Sequence, residues 1–87
     1  MHERGLILDL LRQVDRIAAA EGARKVTRVS VWLGALSQMS PEHFRQHFDQ
    51  DAPGSIAEGA VLECTTSEDF ADPYATAVLL KSVEVET

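Results

Sequence analysis

The hydrophobic residues in the first quarter of the chain recur with the spacing of an α-helix. In the segment LILDLLRQVDRIAAAEG the apolar residues fall on one helical face, at Leu6, Ile7, Leu10, Leu11, Val14, Ile17 and Ala18. Asp9 and Arg12 lie on the opposite face, so the segment predicts an amphipathic helix with one buried side. Gly22 is a natural end for this helix, because glycine adopts the left-handed conformation that closes a last turn.

Three later segments alternate between apolar and polar residues, which is the pattern of a strand with one buried face. In KVTRVSVWLG, the β-branched residues fall on one side and Arg28, Ser30 and Trp32 on the other. The segments AVLECTT and AVLLKSVEVE show the same alternation. The side chains expected to point inward are Val29, Val31, Leu33, Leu62, Val83 and Val85.

A second helix is predicted between the first two strands. Ser40 has the side chain of an N-cap, Pro41 suits the first helical position, and Glu42 lies near the positive end of the helix dipole. Phe44 and Phe48, four residues apart, form its apolar stripe.

The order helix, strand, helix, strand, strand predicts an α/β fold that forms a single domain over residues 1–87. Two helices on a small three-stranded sheet would bury both apolar faces in a two-layer sandwich. The helix residues expected to face the strands are Leu10, Val14, Ile17, Phe44 and Phe48. A small sheet also leaves strand edges unpaired, and these edges permit a homodimer.

Composition and charge narrow the function. The net charge of −6 argues against nucleic acid and against an anionic membrane surface as partners. No stretch reaches the roughly 18 apolar residues of a membrane span, and the start does not read as a signal peptide. The single cysteine, Cys64, permits no internal disulfide, which favours the reducing cytoplasm.

The first residues are a candidate metal site. The α-amine of Met1, the backbone nitrogens of residues 2 and 3 and the imidazole of His2 lie within one short chelating loop. Nitrogen donors in a square-planar array suit Ni(II) or Cu(II). The alternative is a solvated terminus that binds nothing, since chain ends are usually poorly ordered.

Other residues have either a functional or a purely structural interpretation. His43 and His47 lie four apart on the second helix, so they either chelate a transition metal or remain two solvated surface histidines. Cys64 has inward parity and is expected to be a small buried hydrophobe. Trp32 points outward and marks an interaction surface, or is covered by another element or a second copy. No nucleophile elbow or phosphate loop is present, so an enzyme is not expected.

Five segments in register resemble the HypA/HybF family of nickel-incorporation proteins: MHE, ARKVTRVSVWLGALS, SPEHFRQHFD, GSIAEGAVLE and LKSVEVE. The resemblance implies a cytoplasmic metallochaperone that holds Ni(II) for the maturation of a nickel enzyme, above all [NiFe] hydrogenase and in some organisms urease. It implies that Met1, His2 and Glu3 supply the nickel ligands. It also implies a HypB-like GTPase or the hydrogenase large subunit as partner.

The chain departs from the family in one place. Family members carry a zinc domain with two CxxC pairs between the second strand and the last. Here that place, between about 65 and 77, is occupied by the stretch CTTSEDFADPYAT with its one cysteine, Cys64, and tetrahedral structural zinc needs four ligands. We therefore expect a HypA-like nickel domain without structural zinc. The alternative function is an adaptor or docking module in a maturation complex, without metal transfer.

Overall fold

The structure, a computed structural model, describes the backbone of residues 3–87 and the side chains from Gly5 onward. Its elements are α1 (Glu3–Ala20), β1 (Lys25–Leu33), α2 (Pro41–Asp51), β2 (Val61–Thr66) and β3 (Val78–Glu86). The predicted order of helices and strands is confirmed. α1 begins one turn before its apolar stripe, and the strands begin and end within one residue of the predicted segments.

α1 ends where its sequence predicts, and α2 begins where its sequence predicts. The amide of Ala23 donates to the carbonyl oxygen of Ala18 at 2.9 Å, and Gly22 donates to Ala19 at 3.1 Å. With Gly22 at a φ of 64°, these bonds form a Schellman motif that ends α1. Over the residues described, neither helix is long and apolar enough to cross a membrane.

The three strands form one mixed sheet in the order β2-β1-β3. β1 pairs with β2 in parallel and with β3 antiparallel, so its backbone is hydrogen-bonded on both sides. Val31, for example, lies opposite Cys64 on one neighbour and Leu80 on the other. The centre of the sheet is therefore the strand that carries the strongest β-branched pattern.

One irregularity in the pairing of β1 with β3 changes which residues of β1 are buried. Strict alternation would place Val26 on the outer face together with Arg28. The register shifts between Val26 and Arg28, so Thr27 is an extra residue and the strand turns over at this point. Val26 is consequently fully buried, which the alternation pattern did not predict.

A second irregularity has the same effect on β3. Ser82 pairs with Ser30 and Leu80 pairs with Val31, which leaves Lys81 as an extra residue on β3. The apolar residues before and after this bulge therefore pack on the same side of the sheet. These residues are Val78, Leu80, Val83 and Val85, all half-buried against the core.

The core lies between the helices and the inner face of the sheet. The buried positions confirm most of the predicted set: Leu10, Val14, Val29, Val31, Leu33, Phe44, Phe48 and Leu62. Further buried residues in the same cluster are Ile7, Ala18, Val26, Met39, Ala52 and Ala57. A single two-layer core follows, with β1 at its centre and an aromatic pair from α2 above it.

The prediction that Ile17 belongs to this core is wrong. Its side chain is 41% exposed, whereas Ala18 beside it is fully buried. The buried stripe of α1 runs through Leu10, Val14 and Ala18, and Ile17 lies at the edge of that stripe in the last turn. A small residue faces the sheet at this end of α1, and the larger isoleucine lies in solvent.

The outer face of the sheet is polar at one end. Arg28 lies 3.1 Å from the carboxylate of Glu63 and 3.5 Å from that of Glu84, which links all three strands. These groups are largely exposed, so the ion pairs add little to the free energy of folding. At the other end Trp32 is half-buried between its register partners Thr65 and Leu79.

Replacing Phe48 by alanine should lower the free energy of unfolding by about 3–5 kcal/mol, because the ring is only 3% exposed and its removal leaves a cavity. Equilibrium unfolding in urea measures this change. The matched control is Gln46→Ala on the exposed face of α2, which should stay within about 0.5 kcal/mol of the parent. A loss below about 1 kcal/mol for Phe48→Ala would place this face of α2 outside the core.

Candidate functional site

The predicted terminal ligands fall at the edge of the described structure. Met1 and His2 lie outside the described residues, and so does the side chain of Glu3. Their role as nickel ligands therefore stays a prediction. The structure does describe the helix that follows them, starting with the backbone of Glu3.

The start of α1 leaves backbone nitrogens without helical partners. Because α1 begins at Glu3, the amides of its first turn lack the intrahelical acceptors that later amides have. Such amides bind a metal without the loss of a helical hydrogen bond. One turn further, Ile7 is fully buried and fixes the first turns of α1 against the core.

A groove of about 380 Å³ lies beside these first turns. Leu6 of α1 forms one wall, and the loop residues 37–39 and 76–78 form the others. In the segment just before α2, Gln38 has a φ of 61°, a left-handed conformation that is uncommon for a residue other than glycine. The start of α1 thus lies at the end of the sheet where β1 stops and β3 begins.

Two loops at this end of the sheet touch through their backbones. The amide of Gly34 donates to the carbonyl oxygen of Ala77 at 2.8 Å, and that of Leu36 donates to Ala75 at 2.7 Å. A Cβ atom on Gly34 would lie 2.2 Å from the carbonyl oxygen of Ala75. Only glycine fits this contact. A glycine directly after a strand is the sequence signal for such a close approach of two backbones.

The segment between β2 and β3, where the zinc domain was expected to be absent, forms a series of tight turns. The carboxylate of Asp69 accepts the amide of Ala71 at 3.0 Å, and that of Asp72 accepts the amide of Tyr74 at 2.7 Å. These are Asx turns, in which a short acidic side chain holds its own backbone. Across the described residues, no three His, Cys, Asp or Glu side chains are grouped to hold a metal ion.

The two histidines of α2 meet, as their spacing predicts. The Nε2 atoms of His43 and His47 lie 3.2 Å apart, and the ring centroids are 4.9 Å apart at an interplanar angle of 40°. Both side chains are half-buried and lie beside the Phe44 and Phe48 stripe. The rings are therefore paired on the surface of α2, and whether they bind a metal stays a prediction.

Cys64 packs against the core, although it is half-buried and not fully buried. Burial raises the pKa of its thiol, and the positive charge of Arg45 opposes this with a smaller lowering effect. The guanidinium of Arg45 is itself held by the carbonyl oxygen of Leu62 at 2.8 Å. A raised pKa keeps the thiol protonated at neutral pH, which makes it a poor nucleophile.

Solved structures share this architecture. The Ni metallochaperone HypA from Helicobacter pylori, solved in solution, aligns with a TM-score of 0.84 at 19% identity and covers 99% of this chain and 98% of that chain. A second solution structure, of a HypA protein, gives a TM-score of 0.76 at 20% identity, with 98% and 96% covered. At these identities the likeness defines the fold. The two-layer sandwich of this chain, β3 included, is that of the HypA proteins.

Sequence comparisons identify the family. A family described as "Hydrogenase/urease nickel incorporation, metallochaperone, hypA" matches residues 1–71. The hydrogenase maturation factor HypA of Chlorobium limicola is 40% identical over 63 residues, which is 72% of this chain and 54% of the relative. The corresponding factor of Acidithiobacillus ferrooxidans is 38% identical over 66 residues, or 76% of this chain and 58% of the relative. The chain belongs to the HypA family.

The predicted resemblance is therefore confirmed, with one qualification about length. The chain spans about half the length of the curated relatives that it matches. The family match ends at residue 71, before β3, whereas the structural match covers nearly all of the chain.

Replacing Gly34 by alanine should lower the free energy of unfolding by about 1–3 kcal/mol, because the new methyl group would collide with backbone atoms that cannot rotate away. Thermal or urea unfolding measures the change. Gly5→Ala is the matched control: it makes the same chemical change in α1, where nothing lies within 4 Å. It should stabilise by about 0.5–1 kcal/mol, since alanine favours the helix. Equal effects of the two substitutions would contradict the contact.

Proposed function

We propose that this chain is a nickel-binding maturation protein that holds Ni(II) at Met1, His2 and Glu3 and delivers it to a nickel enzyme, with [NiFe] hydrogenase as the principal target. The observation that carries the proposal is the family match over residues 1–71, which includes the terminal Met-His-Glu. The matched relatives are named hydrogenase maturation factors. Ni(II) is the cargo, and the chain acts as carrier and not as an enzyme.

The proposed ligands are the α-amine of Met1, the imidazole of His2 and the backbone nitrogens of residues 2 and 3. Adjacent donors of this kind close small chelate rings around one ion. A helix that begins at Glu3 supports the proposal, because amides at its start have no helical acceptor to lose. Two deprotonated amides also cancel the charge of Ni(II), so the positive end of the helix dipole does not repel the complex.

Delivery would proceed by ligand exchange while the chain is docked on an acceptor. A terminal site suits this step, because the donors of the acceptor can replace one chelate ring at a time. By family, the proposed partners are a HypB-like GTPase and the hydrogenase large subunit, and the proposed compartment is the cytoplasm. An adaptor that docks without carrying nickel is the competing function, and the nickel experiment separates the two.

We also propose that the chain folds without structural zinc. Its sequence has one cysteine, whose thiol is held protonated by burial. In the segment between β2 and β3, Asp69 and Asp72 are engaged in turns with backbone amides. Hydrogen bonds in these turns stabilise the connection between β2 and β3, whereas in a zinc module the bound metal stabilises the fold.

The untagged chain should bind Ni(II) in a site with the visible absorption and circular dichroism of a planar, amide-bonded complex. Binding should weaken as the pH falls, because protons compete with the ion for the amine, the imidazole and the amides. His2→Ala should abolish this spectrum, and so should one extra residue before Met1, which removes the free amine. A titration with nickel chloride near neutral pH measures all three proteins.

The control for this titration is His43→Ala, which should keep the planar spectrum because α2 supplies none of the terminal donors. The proposal fails if His2→Ala retains the planar spectrum of the parent. If no form of the chain gives that spectrum while it still binds a maturation partner, the adaptor function is the correct one.

A strong chelator should leave the folded state unchanged. The melting temperature of the purified chain in excess EDTA should equal that without it, because no metal contributes to the packed core, whereas zinc-dependent modules unfold when the metal is removed. Metal content by mass spectrometry checks the same point. One tightly held zinc per chain whose removal melts the protein would contradict the proposal.

A further inference from the structure

We infer that His43 and His47 form a second, readily exchanging site for a divalent transition-metal ion of the Ni(II) and Zn(II) class. The site lies on α2 and does not rest on the proposed function of the terminus. The chain has three histidines in all, and these two face each other while the third is His2.

The distance between the two rings fits a shared ion. Metal–imidazole bonds of about 2.0–2.1 Å from both Nε2 atoms meet over the observed gap of 3.2 Å at an N–metal–N angle of about 100°. This angle lies between the right angle of planar and octahedral sites and the tetrahedral angle. An ion therefore fits between the rings with little movement of either side chain. Imidazole nitrogens are ligands that Ni(II), Cu(II) and Zn(II) accept readily.

The helix holds the pair in place before any ion arrives. Ser40 caps α2 by accepting the amide of His43 at 3.1 Å, and Pro41 begins the helix. Phe44 and Phe48, each next to one histidine in sequence, are buried and anchor the same two turns. Because the backbone is fixed, binding costs little conformational entropy beyond that of the two rings.

The surroundings of the two rings indicate that the ion is held loosely. Nδ1 of His47 is buried and has no hydrogen-bond partner among the described residues. Tight metal sites usually fix each histidine by a hydrogen bond from its second nitrogen, and the loss of such a partner costs about 10–100-fold in affinity. With no third His, Cys, Asp or Glu grouped in the described part of the chain, water completes the coordination. Such a site accepts and releases its ion easily.

Without an ion, the 3.2 Å contact is a hydrogen bond in which one ring donates to the other. A purely structural pair of this kind is the competing explanation, and glutamine distinguishes the two. The amide of glutamine can form a hydrogen bond with the remaining histidine, but it is a poor ligand for Ni(II) compared with imidazole.

The experiment is a nickel chloride titration of the full, untagged chain followed by calorimetry and by proton NMR. The variants are His2→Ala, His43→Gln, His47→Gln and the double variant His2→Ala with His43→Gln. A composition-matched control exchanges two residues, His43→Gln with Gln46→His, which keeps the number of histidines and removes the spacing of four. Far-UV circular dichroism checks the fold, and either single glutamine variant suffices if the other fails to fold.

The parent should bind two ions, His2→Ala one, either glutamine variant one, and the double variant none. In His2→Ala, Ni(II) bound with water ligands is paramagnetic, so the ring signals of His43 and His47 should broaden first. The broadening should disappear when a chelating resin removes the ion, with no loss of structure. The exchange control should behave like His43→Gln. The inference is overturned if His2→Ala binds no nickel, or if the exchange control binds two ions as the parent does. It stands even if the terminal site fails, because the two sites are removed by different substitutions.

Discussion

The packing of both helices onto the inner face of the sheet is the interaction on which the rest of this structure depends. β1 is hydrogen-bonded on both sides, and its inward residues Val29, Val31 and Leu33 have no exposed surface. Ile7 and Val14 of α1 and the two phenylalanines of α2 belong to the same buried cluster as these residues. Burial of this apolar area is the main favourable contribution to folding, since the ion pairs on the outer face are exposed. The start of α1 and the histidines of α2 are therefore placed by the core.

Much of this architecture was predictable because local signals and packing agree. The N-cap Ser40, the first-turn proline and the spacing of Phe44 and Phe48 define α2 without tertiary information, and the structure follows them. The burial of Val26 was not predictable, because an extra residue in the pairing with β3 reverses the alternation of β1. Such bulges depend on which strand lies alongside. The prediction for Ile17 was wrong for a related reason. Helical spacing identifies the apolar stripe of α1, but the surface that it packs against decides where the buried part of this stripe ends.

The two parts of the candidate site, the histidine pair and the terminal residues, differ in how far the sequence predicts them. Spacing alone predicted that His43 and His47 meet. The 3.2 Å distance between them, and a His47 nitrogen without a partner among the described residues, required the packed structure. The terminal Met-His-Glu is a motif of sequence, and its donors are mostly backbone groups that any residue types would supply. What the structure adds there is the start of α1 at Glu3 and the buried Ile7 that anchors it. Gly34 is a further case: a glycine directly after a strand signals a close approach of two backbones, but only the structure identifies Ala75 as its partner.

The two proposed metal sites would make different chemical demands. The terminal site requires amide nitrogens that have lost their protons, which ties nickel binding to pH and to a free amine. The proposed histidine pair offers two imidazole nitrogens and needs no amide deprotonation, and we expect it to bind more weakly and to exchange faster. A net charge of −6 raises the local concentration of cations around both. A loosely held ion on α2 and a tightly chelated one at the terminus would give the chain a storage site and a delivery site for the same metal.

X-ray absorption at the nickel edge tests the central claim most directly, with the untagged chain loaded with one equivalent of Ni(II) at neutral pH. The account predicts that the first ion occupies the terminal site, in a planar shell of four nitrogen or oxygen donors that includes one imidazole. A six-coordinate shell dominated by oxygen donors, or one with two imidazoles, would contradict it, because the first ion would then lie on water or on α2.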